Sequence, residues 1–369
     1  MSILHEILDL TSELIRIPST HSRPAEITRC AQHIMQWCHT YGLHATCVTH
    51  EGIPSLLILP DTQARLVLMS HLDVVDAPDE LFLPRLEGDH LWGRGAVDDK
   101  YAIALSLVLF RERVHALRQN GQSQADMALG VLITGDEEIG GNNGAAKTLP
   151  LVQADYVLAL DGGSPEKLVV QEKGVLNLCL TATGRTAHGA RPWLGQNAID
   201  ILFNDYAKLR QLFPDSEDTE HWHRTINFGK IQAGKALNQV PGTAQGWFNI
   251  RFTEQDDPQE LLQAISASVS SQVELVSSLP LFHALPSPIT QRLLDYSPGT
   301  NTGREHGASD AQFLMALHMP GAIWGAQGYG SAHSPQERVS VSSIEHIYTS
   351  LHNLVVELEQ AGTDCKEKD

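Results

Sequence analysis

The sequence has no long apolar run, no basic cluster and no Cys-x-x-Cys pair. Without an apolar run that could span a bilayer, a transmembrane protein is not expected. The chain carries 26 Lys and Arg against 44 Asp and Glu, a formal net charge of −18, which argues against nucleic acids and anionic membranes as partners. The first residues lack the basic and apolar regions of a signal peptide. Five scattered cysteines predict a reduced, cytoplasmic protein.

Length and composition indicate a globular protein with more than one domain. The chain has 369 residues, 42% of them hydrophobic, with 29 glycines and 18 prolines, as in ordinary folded proteins. This length exceeds what one simple core requires and suggests two domains, or one large domain with an insertion.

Three apolar segments of the first half have the length and composition of buried strands. Helical patterns lie between them, which predicts an α/β fold with a mostly parallel sheet and helices on both faces. Such sheets bind ligands at the carboxyl ends of their strands. A functional site is therefore expected where these segments end. The segments 66–70, 127–134 and 156–160 are followed by His71, by Glu137 and Glu138, and by Asp161.

The pattern changes near Val170. Between residues 173 and 282 the segments follow the order strand-helix-strand-strand-helix-strand, which is typical of a small antiparallel α+β (ferredoxin-like) domain. An apolar, helical pattern resumes after Pro286. We therefore expect a discontinuous first domain, residues 1–172 and 283–369, with residues 173–282 inserted as a second domain.

Imidazole and carboxylate side chains recur near the predicted edge of the sheet. This combination suits zinc, and also cobalt or manganese. Five ligands are too many for one tetrahedral ion with an open position, but they fit two ions about 3.5–4 Å apart that share a carboxylate. The first of two adjacent glutamates can serve as general base while the second binds metal, or the reverse. The candidates are His71, Asp73, Asp98, Glu137, Glu138, Asp161 and His333.

Each motif has a simpler interpretation when taken alone. His71 and Asp73, on one side of an extended strand, would form an ordinary hydrogen-bonded pair. Adjacent acidic residues are usually solvated, and Asp98 with Asp99 would commonly cap the helix that follows. Their shared position after strands of one sheet favours the metal-site interpretation. In it, one nitrogen of His71 binds metal while the other donates to Asp73.

Seven short segments, spread along nearly the whole chain, contain all of these residues except Asp161, and several others. They are 70–75 (SHLDVV), 93–100 (GRGAVDDK), 136–140 (DEEIG), 184–192 (GRTAHGARP), 238–242 (NQVPG), 308–311 (ASDA) and 332–333 (AH). In this order they resemble the M20 metallopeptidase family, which includes dipeptidases, aminoacylases, acetylornithine deacetylase, succinyl-diaminopimelate desuccinylase and glutamate carboxypeptidases. The ordered set is far more specific than any single segment.

The resemblance implies a centre with two metal ions, expected to be Zn²⁺, with Co²⁺ or Mn²⁺ as alternatives. His71 and Asp161 would hold one ion, and Glu138 and His333 would hold the other. Asp98 would bridge the two.

Catalytic roles are implied in the same way. Glu137 would deprotonate the water between the metals and later protonate the leaving amine, and Asp73 would orient its histidine neighbour. The resemblance also implies a cis peptide bond between Asp98 and Asp99.

The inserted domain resembles the lid and dimerisation domain of the family, which implies a homodimer. His188 would reach into the site of the partner subunit and stabilise the oxyanion, as preorganised donors do. Asn238 and Arg251 match positions that bind substrate, and a guanidinium group suits a carboxylate. The simpler interpretation of Arg251 is a strand arginine paired on the sheet surface.

The predicted activity is hydrolysis of an amide bond in a small peptide by a dinuclear zinc enzyme. Asp161 stands where deacylases and carboxypeptidases of the family usually carry glutamate, and it resembles the aminopeptidase and dipeptidase branch. An N-acyl-amino-acid deacylase, of the acetylornithine deacetylase or desuccinylase kind, remains the alternative. A non-catalytic module that binds metal or a small ligand is the alternative from another class, although an intact Glu137 argues against it.

Overall fold

The computed structural model describes residues 2–213 and 219–366. They form two compact units, and the second interrupts the first. The first unit contains residues up to Gln171, His283–Glu305 and residues from Ser309 onward, and the second contains Glu172–Phe282 and His306–Ala308. The helices are α1 (Ile3–Ile15), α2 (Pro24–Thr40), α3 (Lys100–Gln119), α4 (Ala145–Thr148), α5 (Ala198–Leu212), α6 (Pro258–Ser268), α7 (Pro288–Tyr296), α8 (Gln312–Ala316) and α9 (Val341–Lys366). The strands are β1 (Thr46–His50), β2 (Ile53–Ile58), β3 (Leu66–His71), β4 (Arg85–Glu87), β5 (His90–Trp92), β6 (Leu129–Thr134), β7 (Val157–Ala159), β8 (Lys167–Glu172), β9 (Gly174–Thr183), β10 (Ala187–His188), β11 (Thr225–Ala233), β12 (Gln239–Val240), β13 (Thr243–Phe252), β14 (Gln272–Leu279), β15 (Phe282–His283), β16 (Asn301–Glu305), β17 (Gly321–Ile323) and β18 (Arg338–Ser340).

Four parallel strands in the order β6-β3-β7-β17 form the centre of the large sheet in the first unit. All of β3 is buried, as expected for a strand covered on both faces. Leu68 aligns with Val131 on β6 and with Leu158 on β7, so the carboxyl ends of these strands lie at one edge. The predicted α/β class is confirmed. Antiparallel pairs occur on both sides of this centre, between β2 and β6 and between β17 and β8.

Helix α3 lies in the interior of the first unit. Its side chains are buried on all sides from Lys100 to Phe110, which is typical of a helix that packs against neighbours all round. Helices α1 and α9 pack against it, and their apolar residues belong to the same core. Because α3 begins immediately after Asp98 and Asp99, its burial fixes the position of that pair. Within the described ranges, no helix is long and apolar enough to cross a membrane.

The shortest strands were not predicted. Strand β17 has three residues, and β4, β5 and β18 form a separate sheet of similarly short strands. Three residues carry too few side chains to show an alternating pattern. Strand β7 is equally short but was predicted from the longer apolar segment 156–160. Strand β17 matters for the site, because it adds a fourth parallel strand beside β7 and precedes the loop that contains His333.

The second unit is built on four antiparallel strands in the order β11-β13-β9-β14. The chain order β9-α5-β11-β13-α6-β14 is the strand and helix order that the sequence pattern predicts. Alternate residues of β13, from Ala244 to Phe252, are buried and join α5 and α6 in one apolar cluster. The intervening residues, among them Asn249 and Arg251, are only partly buried. The helices therefore cover one face of this sheet.

Substituting Leu105 tests the assignment of the core. Leu105 in α3 is fully buried, whereas Leu86 in β4 is 55% exposed. Leu105→Ala should lower the free energy of unfolding by about 3 kcal/mol, because the deleted atoms leave a cavity. Leu86→Ala, the matched control, should change it by less than about 0.5 kcal/mol. Denaturant titration followed by circular dichroism measures both, and equal effects would contradict the assigned core.

Candidate metal centre

Asp98 lies between two imidazole rings. Its Oδ1 is 2.9 Å from Nε2 of His71, and its Oδ2 is 3.0 Å from Nε2 of His333. The peptide bond between Asp98 and Asp99 is cis, as the resemblance implied. Burial disfavours the charge of Asp98, but hydrogen bonds from the two histidines outweigh burial and lower its pKa. One carboxylate oxygen thus faces each histidine, as in a carboxylate that two metal ions share.

Glu138 forms a three-residue group with Asp98 and His333. Its Oε2 is 3.1 Å from Nε2 of His333, and its Oε1 accepts a hydrogen bond from the backbone N–H of Val75 at 3.1 Å. One ligand atom from each of the three residues lies within 4.8 Å of the others. Hydrogen bonds to Asp98 and Glu138 raise the pKa of His333 to about 10. The protonated imidazole of His333 therefore lies between the carboxylates of Asp98 and Glu138. A metal ion bound there could replace the proton on Nε2 of His333.

Asp161 follows β7 and lines a cavity of about 150 Å³ together with Asp98. Its Oδ1 is buried and has no hydrogen-bond partner among the described residues. Burial, opposed by His71 and reinforced by the charge of Asp98, raises the pKa of Asp161 to about 6. A buried carboxylate oxygen without a donor is costly, and a bound cation would supply the missing partner. That Asp161 and His71 hold the same ion stays a prediction.

Asp73 is fully buried and connects His71 to the two glutamates. Nδ1 of His71 is 3.0 Å from the carbonyl oxygen of Asp73 and 3.5 Å from its Oδ1. The Asp73 carboxylate also accepts hydrogen bonds from the backbone N–H groups of Glu137, at 3.2 Å, and Glu138, at 3.0 Å. Although burial opposes ionisation, hydrogen bonds from His21 and His71 lower the pKa of Asp73 to about 2. Protein donors thus surround this carboxylate, which fits an orienting role better than a ligand role.

Glu137 begins the short 3₁₀ turn Glu137–Ile139, which follows β6. Burial, opposed by His71 and reinforced by the charge of Asp310, raises the pKa of Glu137 well above its ordinary range. A carboxylate with a raised pKa accepts and returns protons effectively near neutral pH. The two glutamates also diverge: in the described ranges, the ligand group around His333 includes Glu138 and not Glu137.

Glu337 and Arg94 support the centre and were not predicted. Glu337 accepts hydrogen bonds from two backbone N–H groups just before Asp98, at 2.9 and 3.3 Å, and contacts the guanidinium group of Arg94. Both side chains are almost fully buried. They join the segment that leads to Asp98 to the loop that carries His333. Arg94 lies inside the segment 93–100, and Glu337 lies four positions after His333. Their closeness in sequence to the motifs is the feature that could have indicated a role at the site.

His21 and Asp310 also surround the centre without having been assigned roles. Nε2 of His21 is 2.9 Å from Oδ2 of Asp73. Asp310 accepts a hydrogen bond from Oγ1 of Thr134 at 2.8 Å, and burial raises its pKa to about 8. Asp310 belongs to the matched segment 308–311, whereas no motif pointed to His21.

The second unit holds the remaining predicted residues. Strand β10, which contains His188, pairs with β12, and Gly189 donates its backbone N–H to the carbonyl oxygen of Asn238 at 2.7 Å. His188 and Asn238 are thus neighbours, and both are exposed. Arg251 lies on β13 and donates from Nε to Oδ1 of Asn249 at 3.2 Å. This contact resembles the surface pairing considered above, with an amide in place of an acid.

The donor set of the first unit fits divalent metal ions. The predicted ligands are three carboxylates and two imidazoles, and the raised pKa values of Glu137 and Asp161 show that burial disfavours their charged forms. Divalent cations with nitrogen and oxygen ligands, such as zinc, cobalt or manganese, would compensate these charges. The group Asp98, Glu138 and His333 alone provides three converging ligand atoms.

Comparison with known proteins assigns the family. The model of Peptidase family M20/M25/M40 matches residues 67–357, well over half of the chain. The chain therefore belongs to this family of metal-dependent hydrolases. One relative, a succinyl-diaminopimelate desuccinylase of Beijerinckia indica subsp. indica, is 31% identical over an alignment that covers 93% of this chain and 97% of the relative.

Two solved structures share the fold. A tripeptidase of Staphylococcus aureus has a TM-score of 0.76 at 21% identity, with 97% of this chain and 99% of the tripeptidase covered. The YXEP protein of Bacillus subtilis, described as a dinuclear metal binding peptidase of the M20 family, has a TM-score of 0.64 at 14% identity, with 97% and 99% covered. At these identities the similarity establishes the fold.

Measuring bound metal distinguishes the role predicted for Asp98, a metal ligand, from the role predicted for Glu137, a general base. Asp98→Ala should lose bound metal, because it removes the carboxylate that faces both histidines, whereas Glu137→Ala should retain it. Asp155→Ala, at the opposite end of β7 and paired there with Arg65, is the matched control and should behave like the unsubstituted protein. Metal content after dialysis, measured by plasma emission spectroscopy, checks all three. Metal loss in Glu137→Ala would overturn the assigned division between the glutamates.

Proposed function

We propose that this protein hydrolyses an amide bond of a small peptide, as a dipeptidase or aminopeptidase does, with two zinc ions as its cofactor. Cobalt and manganese are the alternative metals. The observation that carries the proposal is the carboxylate of Asp98, which turns one oxygen towards His71 and the other towards His333. Two imidazoles on opposite oxygens of one carboxylate suit two ions rather than one.

The predicted ligands divide into two sets with one shared member. His71 and Asp161 would hold one ion, Glu138 and His333 the other, and Asp98 would bridge them. Bound there, the ions would polarise the scissile carbonyl and make a water molecule acidic enough to attack near neutral pH.

Glu137 moves the proton in this proposal. Its carboxylate takes a proton from the attacking water and later gives it to the leaving amine, so that the C–N bond breaks as a neutral amine departs. Burial raises the pKa of Glu137, which makes its carboxylate a stronger proton acceptor. Asp73 helps by holding the backbone N–H of Glu137 at 3.2 Å from its Oδ1.

His188 is suited to donate a hydrogen bond to the oxyanion. Its Nδ1 accepts a hydrogen bond from the backbone N–H of Ala190 at 3.1 Å, so the proton of the neutral ring belongs on Nε2. The side chain is exposed, and Nε2–H is then available to a substrate. A fixed donor of this kind stabilises the charge that develops on the carbonyl oxygen.

Asp161 and Arg251 bear on the substrate class. An aspartate rather than a glutamate at position 161 resembles the aminopeptidase and dipeptidase branch, which favours a peptide. Arg251 would bind a substrate carboxylate and Asn238 would bind a neighbouring polar group. Nε of Arg251 donates to Asn249, and its guanidinium group carries further N–H donors, which supports this role.

Deacylation of an N-acyl amino acid is the second candidate function. The relative that is 31% identical over nearly the full length of both chains is a succinyl-diaminopimelate desuccinylase. The catalytic groups proposed above could also cleave the amide bond of an N-acyl amino acid. A non-catalytic binding module is disfavoured by the presence of Glu137, an intact candidate base directly before Glu138 of the ligand group.

A substrate panel tests the proposal. Metal-loaded protein should release free amino acids from at least some dipeptides or tripeptides, detected with a ninhydrin or coupled-oxidase assay. Acetyl- and succinyl-amino acids form the second arm, and activity confined to them would establish the deacylase instead. Glu137→Ala is the control and should lose activity by a factor of about 10² to 10⁴, the usual contribution of a general base. If no amide is cleaved while Glu137→Ala binds ligands unchanged, the binding module is correct.

We also propose a homodimer formed through the second unit, in which His188 acts on the partner's site. Large apolar side chains of this unit are exposed, as at surfaces that bind another protein. They are Trp193, Leu194, Phe203, Ile231, Leu237, Leu275 and Val276.

Mixed dimers test whether His188 acts in trans. His188→Ala and Glu137→Ala homodimers should each be nearly inactive. In a mixed dimer, one site would combine an intact Glu137 with an intact His188 from the other subunit, so up to half of the normal activity per dimer should return. Purification of the heterodimer with two different affinity tags and an activity assay measure this. Verified heterodimers that stay inactive would show that His188 does not act across the interface.

A further inference from the structure

The segment between α1 and α2 lies along the chain that follows His71. Oγ of Ser19 donates to the carbonyl oxygen of Leu72 at 2.5 Å, and the backbone N–H of Val74 donates to the carbonyl oxygen of Ser19 at 3.0 Å. Reciprocal hydrogen bonds of this kind fix two stretches of backbone against each other. Ser19 is fully buried, so the contact is shielded from water.

Two further contacts hold the ends of this segment. Lys100, the first residue of α3, is fully buried and donates from Nζ to the carbonyl oxygens of Leu14 and Ile17, at 2.8 and 2.5 Å. On the other side, Oγ of Ser22 donates to Oδ1 of Asp76 at 2.6 Å. A buried ammonium group with carbonyl partners makes strong hydrogen bonds. The segment is therefore held at both ends, with His21 between them.

His21 completes the environment of Asp73. Its Nε2 is 2.9 Å from Oδ2 of Asp73, the oxygen that also accepts the backbone N–H of Glu138 at 3.0 Å. The other oxygen faces Nδ1 of His71 and the backbone N–H of Glu137. The Asp73 side chain is fully buried and that of His21 is 23% exposed. Because carboxylates only accept, the proton of this hydrogen bond is on Nε2 of His21.

We propose that His21 is a positioning residue for the metal centre. By holding Oδ2 of Asp73, it fixes the rotation of that carboxylate. The carboxylate in turn lies 3.5 Å from Nδ1 of His71 and accepts the backbone N–H groups of Glu137 and Glu138. His21 thus acts on one predicted ligand set and on the general base through a single intermediate. The proposal deepens the proposed function and rests on it for its effect on catalysis.

Partners behind metal ligands usually affect metal affinity as well as rate. Their substitution typically costs about 10-fold to 100-fold in affinity or activity. His21 lies one step further from the metal, and Asp73 retains its two backbone donors when the imidazole is removed. We therefore expect an effect near the lower end, about 10-fold. Substrate contacts are not altered, so the effect belongs in kcat rather than in KM.

Three variants test the proposal. His21→Ala should weaken metal binding about 10-fold and lower kcat about 10-fold, with KM changed by less than about 2-fold. His21→Gln places an amide N–H donor at a similar reach and should restore both quantities to within about 3-fold of the unsubstituted protein. His33→Ala is the matched control, because His33 lies on α2 and pairs with Glu13. It should change neither quantity.

Metal affinity is measured by competition with a chromophoric chelator, which requires no substrate. Thermal unfolding of the metal-free variants reports loss of stability separately. The proposal is overturned if His21→Ala binds metal and turns over substrate as His33→Ala does. It is also overturned if His21→Gln fails to rescue while both His21 variants unfold at lower temperature, since that describes a structural role.

The two proposals fail in different ways. If the unsubstituted protein binds metal but cleaves no member of the substrate panel, the proposed function is wrong, and the chelator competition still decides the role of His21. If the panel is cleaved and the metal affinity of His21→Ala equals that of the unsubstituted protein, the function stands and the positioning role is wrong.

Discussion

Several carboxylates are crowded and buried at one edge of the parallel sheet, and this crowding determines the chemistry of the first unit. Burial and mutual repulsion raise the pKa values of Glu137, Asp161 and Asp310, so these groups are ionised only at a cost. Two histidines offset part of this charge, each on one oxygen of Asp98. Divalent cations would offset the rest. The same groups that make the metal-free site unfavourable are those that make metal binding favourable.

The fold brings these groups together by simple means. Parallel strands in matching register end at one edge, so residues at or just after the ends of β3, β6 and β7 lie at that edge although they are far apart in the sequence. Asp98 does not follow a strand of this sheet but lies just before the start of the buried helix α3. The contact of Glu337 with Arg94 then joins its segment to the His333 loop. The centre therefore requires the discontinuous parts of the first unit to be folded together.

Sequence patterns pointed to the site residues that lie in recognisable local motifs or directly after apolar segments. They missed residues that reach the site only because the fold brings distant segments together. His71, Glu138 and Asp161 follow apolar segments that indicate buried strands, and the ordered motifs contain the other predicted ligands, Asp98 and His333. His21 lies in a short polar loop with no periodicity, and it meets Asp73 only because Ser19 fixes that loop along residues 72–74. Strand β17 is too short to show an alternating pattern. Apart from this strand, the missed features are side-chain contacts between segments distant in sequence.

In the proposed function, reaction class and substrate depend on different parts of the molecule. The predicted metal ligands and Glu137 would act on a carbonyl and an amine, which peptides and N-acyl amino acids share, so these groups alone favour neither substrate. Asp161 differs from glutamate by one methylene, which alters how a ligand reaches its ion more than what the site accepts. Discrimination must come from groups that contact the rest of the substrate. Asn238 and Arg251 belong to the second unit and are the groups predicted for that contact. A relative could therefore change its substrate by altering the second unit while its metal centre stayed the same.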